Sequence, residues 1–117
     1  LREVESPADS TRILIMMKYI QEHFSEKLSI EMIAGSANIS VRECGRCFQN
    51  KIGMSPGNYL NDYRIRSAAE LLLGTEDSIT EIAEKCGFSS GSYFGKSFLK
   101  MIGCTPKEYR RSGRKEG

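Results

Sequence analysis

One segment of this chain occurs twice. Ser29-Ile30, Ile33-Ala34, Phe48, Ile52-Gly53, Pro56 and Tyr59 return in the same order as Ser78-Ile79, Ile82-Ala83, Phe98, Ile102-Gly103, Pro106 and Tyr109. A period of about fifty residues marks a duplicated supersecondary unit, which restricts the fold to architectures that build one small motif twice. Each copy reads as helix, tight turn, helix. In the first, Ser29 is a helix N-cap and Asn38 tolerates the left-handed conformation, so a short helix of about eight residues stops at a turn. Ser40 then caps a second helix, with Glu43 completing a capping box, and Gly53 ends it after Ile52. In the second copy Ser78 and Glu81 form the box, Gly87 takes the place of Asn38, and Ser89 or Ser90 caps a helix that runs from there to Ile102. Ser55-Pro56 and Thr105-Pro106 each pair an N-cap with proline at the first helical position, so a further helix follows each unit. One extra residue enters the second turn or cap, because Ser40 aligns with Ser89 while Phe48 aligns with Phe98.

The remaining segments also read as helix. From Thr11, residues Ile13, Met16, Met17, Ile20 and Phe24 repeat at helical spacing and form one apolar face, with the methionines as core filler. Tyr59 to Leu73 is a long connecting helix with apolar Leu60, Tyr63, Ala68, Leu71 and Leu72, ended by Gly74. No strand alternation is present. The predicted fold is all-α, two helix-turn-helix subdomains joined by a long linker helix, with about seven helices in all. Its divisions are a linker end at 1–9, a first subdomain at 10–58, the connecting helix at 59–74, a second subdomain at 75–111 and a basic tail at 112–117.

Composition excludes more than it assigns. The net charge of the 117 residues is only +2, which by itself points to no partner. Up to Glu31, acidic residues outnumber Arg2, Arg12, Lys18 and Lys27, so the positive excess lies beyond, densest at Lys107, Arg110, Arg111, Arg114 and Lys115. No apolar run reaches the ~18 residues of a membrane span and no secretory signal opens the chain, so a cytoplasmic protein is expected. Leu1 in place of Met points to a piece of a longer polypeptide with a missing partner domain. Cys44 and Cys47 have the spacing of half a zinc site, but Cys86 and Cys104 form no second close pair and His23 is the only histidine. The four cysteines are therefore read as small core residues, with a metal site as the minor alternative and no metal or cofactor expected. His23 is read as a surface residue at a helix end. No paired carboxylates, phosphate loop or nucleophile–base pair supports an enzyme. RNA is disfavoured because no platform aromatics stand ready to stack on bases.

The second helix of a helix-turn-helix buries one face and offers its N-terminal half to the DNA major groove. Ala34 and Ala83 supply the small residue where the paired helices touch. Cys44, Cys47, Phe48 and Ile52 form the inner stripe of the first copy, which leaves Val41, Arg42, Gly45, Arg46, Gln49 and Asn50 outward or flanking. In the second, Phe94, Phe98 and Ile102 face inward and Gly91, Ser92, Gly95, Lys96 and Lys100 outward, with Tyr93 and Leu99 at the margin. Arg42 and Arg46 lie four apart on one face, and each guanidinium can bond guanine bidentately. Arg46 is expected to lead. Gly45 and Gly95, each just before a basic residue, admit two readings: clearance for a sugar-phosphate backbone, or crowding between helices. A protein-docking adaptor built from the same helical pairs remains the competing class, and salt-steep duplex binding separates the two.

The ordered series Tyr19-Ile20, His23-Phe24, Leu28-Ser29, Ala34, Ile39-Ser40, Phe48, Gly53, Ser55-Pro56, Tyr59-Leu60, Arg64, Ala68, Leu71-Leu72, Ile79, Ile82-Ala83, Gly87-Phe88, Ser92-Tyr93-Phe94, Phe98, Gly103, Thr105-Pro106 and Tyr109-Arg110 resembles the DNA-binding domain of AraC/XylS-type bacterial transcription regulators. The resemblance implies double-stranded DNA as partner, two recognition helices in successive major-groove segments, promoter binding and activation through RNA polymerase. It also implies a separate N-terminal effector or dimerisation domain. Base reading then falls on Arg42, Gly45, Arg46 and Gln49 in the first unit and on Gly91, Ser92 and Lys96 in the second. Backbone contacts fall on Ser40, Val41, Asn50, Arg64, Ser90, Lys100, Arg110 and Arg111. For Arg64, Arg66, Arg110 and Arg111 a solvated helix face is an equally good reading. Gly45 replaces a longer polar residue, Gly91, Ser92 and Gly95 leave the second helix short of reading groups, and Cys44 replaces a larger aliphatic, which implies looser packing of the first unit.

Overall fold

A computed structural model describes the backbone of residues 7–116 and the side-chain surroundings of residues 8–113. The linker end up to Ser6 and the side chains of Arg114 and Lys115 in the basic tail lie outside the described residues. Seven helices and no strand occur among those described: α1 Pro7–His23, α2 Ile30–Ser36, α3 Val41–Lys51, α4 Pro56–Gly74, α5 Ile79–Lys85, α6 Gly91–Ile102 and α7 Pro106–Glu116.

The expected punctuation forms at each helix end. The hydroxyls of Ser29, Ser40, Ser78 and Ser90 accept the N–H of Met32, Glu43, Glu81 and Tyr93. Ser78–Glu81 is a complete capping box, and Thr105–Glu108 is another, its two bonds 2.9 and 3.1 Å long. At Ser40 only the hydroxyl half forms, because the Glu43 carboxylate accepts from Arg46. The two turns are built alike. Asn38 (φ 62°) and Gly87 (φ 89°) are left-handed, and the residue after each, Ile39 and Phe88, donates its N–H to the carbonyl of Ala34 and Ala83 at 3.1 and 3.0 Å. This is the Schellman closure, so each alanine is both the small contact and the carbonyl that stops its helix. The extra residue of the second copy lies in the turn before its cap, which is Ser90; counted from their caps, α3 and α6 are in register.

The helices sort into two compact units whose boundary crosses the chain three times. In the first, α1, α2 and α3 pack on one another and on the opening turn of α4, burying Ile13, Met16, Ile20, Ile33, Ala34, Cys44, Cys47, Phe48 and Leu60. In the second, Phe24–Lys27 joins the chain from Asn61 onward, around a core of Ile65, Ala68, Leu72, Ile82, Phe88, Phe94 and Phe98.

Three expectations about element limits change. The first helix starts at Pro7 and not at Thr11, which takes the last third of the supposed linker end into α1. The connecting helix starts at Pro56, three residues before Tyr59. It is also no bare spacer, since Ile65, Ala68, Ala69 and Leu72, at helical spacing, form one wall of the second core. The backbone of the basic tail continues α7 as far as Glu116. The cysteines take the expected place: Cys44, Cys47 and Cys86 are buried and Cys104 is half-buried. Burial pushes the Cys44 and Cys86 thiols up to about 11, so both stay protonated at neutral pH. Among the described residues no helix is long and apolar enough to cross a membrane.

Candidate nucleic-acid interface

Each turn delivers a helix that is apolar on one side and polar on the other. On α3, Cys44, Cys47 and Phe48 are buried, while Ser40, Val41, Arg42, Arg46, Gln49 and Asn50 are exposed and Gly45 is half-buried. On α6, Phe94 and Phe98 are buried, while Ser90, Gly91, Ser92, Lys96 and Lys100 are exposed. Val41, Tyr93 and Leu99 add exposed apolar surface at 43%, 54% and 48%, of the kind that contacts a thymine methyl.

The glycines on these helices settle one of the open questions. A β-carbon built at Gly45 or Gly95 meets no heavy atom within 4 Å outside its own helix backbone. Helix crowding therefore does not account for them.

Arg42 stands clear on the surface. Among the described residues no carboxylate pairs with Arg42, Lys96 or Lys100. Arg46 differs. Its Nη1 and Nη2 donate to the two oxygens of Asp9 at 3.2 Å each, and its Nε and Nη2 donate to Oε1 of Glu43 at 3.1 and 2.8 Å. The hydrogen bonds from Arg46 hold the Asp9 carboxyl below its ordinary pKa and raise that of the guanidinium, so both stay charged at neutral pH. Two further contacts lay α3 on the first turn of α1: Cys47 Sγ reaches the Asp9 carbonyl at 3.6 Å, and Lys51 Nζ reaches Ser10 Oγ at 2.9 Å. Asp9 and Glu43 thus join Arg46 at the exposed face of α3, a grouping that the expected site residues do not include.

Two other arginines expected at a phosphate are turned inward. Arg64 donates to the carbonyls of Phe24 and Glu26, both at 2.8 Å, and Arg110 to those of Leu72 and Thr75 at 2.9 and 3.1 Å. Each clips a helix to the end of an earlier one, satisfying carbonyls that a helix terminus leaves without partners. Arg111 is exposed, and Arg66 pairs with Asp62 on the surface of α4.

Residues 33–112 match the model of a helix-turn-helix domain family. The chain belongs to the AraC-type helix-turn-helix family. Among its relatives is the transcriptional activator RhaS of an Enterobacter species, 32% identical over 103 residues, which are 88% of this chain and 37% of that protein. Solved structures give the same fold. The C-terminal domain of the response regulator AraT from Geobacillus stearothermophilus is 38% identical with a TM-score of 0.82, covering 92% of this chain and 86% of that one. The DNA-binding domain of the global transcriptional factor AdpA, solved with a target DNA, is 26% identical with a TM-score of 0.81, covering 95% and 96%. This AraC-type chain spans about a third of the length of the curated relatives it matches. DNA binding in transcription regulation is the function of this AraC-type domain.

Proposed function

We propose that the domain reads duplex DNA in two places, with α3 supplying base recognition and α6 mainly grip on phosphate and shape, the two helices lying in successive major-groove segments. The observation that carries this reading is the matched pair of helix-turn-helix units, each leaving the N-terminal half of its second helix exposed and bearing a cation without a carboxylate partner, Arg42 or Lys96. Arg42 is the leading base reader, bidentate to guanine, with Gln49 beside it. Gly91, Ser92 and the capped start of α6 bring the backbone close to phosphate, and Lys96 and Lys100 add charge. Val41, Ser40, Asn50 and Ser90 flank these groups. Promoter binding with activation through RNA polymerase, a companion effector or dimerisation domain and a cytoplasmic setting complete the proposal. The relatives' greater length and the name of RhaS support it.

The deciding experiment is selection of bound duplexes from a random pool with the purified domain. A motif with two blocks about one helical turn apart supports the reading; no enrichment at low ionic strength sinks it. On the selected duplex, Arg42→Ala is expected to cost about 1 to 3 kcal/mol and to relax preference at one base pair. Lys100→Ala should weaken all duplexes evenly and flatten the salt dependence. Equal, sequence-blind losses from both would remove the division of labour.

Gly45 gives a second test. Since a β-carbon has room there, Gly45→Ala should stabilise the free domain by roughly 0.5 to 1 kcal/mol in urea unfolding. It should at the same time weaken duplex binding several-fold, because the added methyl group stands where the DNA backbone approaches. Tighter binding by the variant would contradict the clearance role.

A further inference from the structure

The geometry points to Asp9 and Glu43 as specificity-determining residues that withhold Arg46 from DNA, so that Arg46 reads a base only when one of the two carboxylates is displaced. The inference rests on the reading of α3 as a helix that contacts DNA.

A guanidinium has five N–H donors in a fixed plane. In Arg46 four are engaged: one on Nη1 and one on Nη2 by Asp9, and the Nε hydrogen with the second Nη2 hydrogen by Glu43. A single Nη1 hydrogen is left. Bidentate recognition of guanine O6 and N7 needs two neighbouring donors, which Arg46 cannot offer while both carboxylates are held. Arg12 also donates to Asp9 Oδ1 at 3.3 Å, so the two carboxylates and two guanidiniums of the cluster cancel and leave no net positive charge to draw a phosphate.

The second unit supplies the contrast. Counted from the caps, Lys96 occupies the place of Arg46 and Tyr93 that of Glu43, and among the described residues Lys96 has no carboxylate partner. Only the first recognition helix is restrained. The restraint comes from two sides of different character. Glu43 is half-exposed on α3 itself, whereas Asp9 comes from the first turn of α1 and its side chain is only 13% exposed. Ion pairs on a partly open surface contribute little and yield to a better partner. A sequence that places guanine opposite Arg46 can therefore recruit it, and one that does not leaves it on Asp9. Asp9 thus sharpens discrimination by setting a threshold for this contact.

The test uses the domain with Asp9→Asn, Arg46→Ala and both substitutions together, titrated against the duplex selected with the unaltered domain and against a pool reselected with D9N. Asp9→Asn is expected to bind roughly tenfold tighter, in the range of one bidentate base contact, and to enrich a guanine that the unaltered domain selects weakly. That gain must disappear in the Arg46→Ala background. An equal gain there would mean that removing a negative charge is the whole effect, and the inference would be overturned; unchanged or weaker binding by Asp9→Asn overturns it as well. Should Asp9→Asn not unfold cooperatively, Glu43→Ala frees the Nε–Nη2 edge and must give the same Arg46-dependent gain. Duplex binding by the unaltered domain with no response in any variant sinks only the role of Asp9 and Glu43. Failure of every protein to bind duplex sinks this and the functional reading together.

Discussion

Phe98→Ala is expected to destabilise the second unit by about 3 to 5 kcal/mol, the cost of emptying a large aromatic site in a close-packed core. Phe98 is fully buried. Its ring lies 5.8 Å from Phe94 on the same helix and 5.4 Å edge-on from Tyr109, so it fastens α6 to α7. The volume cannot be recovered by a small shift, because Phe94, Phe88, Ile82 and Leu72 line the same core. A domain of this size has roughly 5 to 15 kcal/mol of total stability, so the loss removes a large share of it. Urea unfolding followed by circular dichroism should show the midpoint falling, and Phe98→Leu should restore much of it. A loss below about 1 kcal/mol would mean that the core collapses around the gap and that the packing described for α6 is wrong.

The second large effect is expected at Gly87. Its φ of +89° is a conformation in which a β-carbon costs about 1 to 2 kcal/mol. The surroundings add to this: a β-carbon there would collide with the carbonyl oxygen of Phe24 and lie 2.8 Å from Nε of Arg64. Arg64 is a donor to the carbonyls of Phe24 and Glu26, so moving it takes a hydrogen bond from the partly buried Phe24 carbonyl, a further cost of about 1 to 3 kcal/mol. Gly87→Ala should therefore cost about 3 kcal/mol or more. Gly87→Asn separates the causes, because Asn38 holds the equivalent left-handed position of the first unit and is exposed there. If space decides, asparagine fares no better than alanine at 87; rescue by asparagine would assign the whole effect to backbone conformation.

The sequence was most legible where the physics is local. Caps, left-handed turn residues and inward stripes are decided by neighbours within about four positions, and Ser29, Ser78, Asn38, Gly87, Phe48 and Phe98 behave as that grammar demands. The start of α1 is equally local, although Pro7 falls in the stretch expected to be a linker end. Ser6-Pro7-Ala8-Asp9 has the same form as Ser55-Pro56 and Thr105-Pro106, and that likeness was the available signal. Ile65 and Ala69 also carried a signal, at helical spacing with Ala68 and Leu72, but the flanking Arg64 and Arg66 disguised the face as polar. What could not be read is the choice of partner for a long cation. Arg64, Arg110 and Arg46 all have the form of free surface cations, yet Arg64 and Arg110 find their partners at least 35 residues away along the chain, and Arg46 adds the distant Asp9 to its neighbour Glu43. Such pairings are set by how helices pack, and no local pattern reports them.

The repeated crossing of the boundary between the two units has a practical outcome for dissecting the protein. Neither half is an unbroken stretch of polypeptide: Phe24–Lys27 is claimed by the later half although α1 before it and α2 after it belong to the earlier one. Expressing only the portion from Asn61 onward would leave Arg64 without the carbonyls it clips and Tyr63 without the Phe24 ring 5.0 Å away. Truncation at the midpoint therefore yields incomplete pieces, and the contribution of each recognition helix is better isolated by substitution within the intact domain.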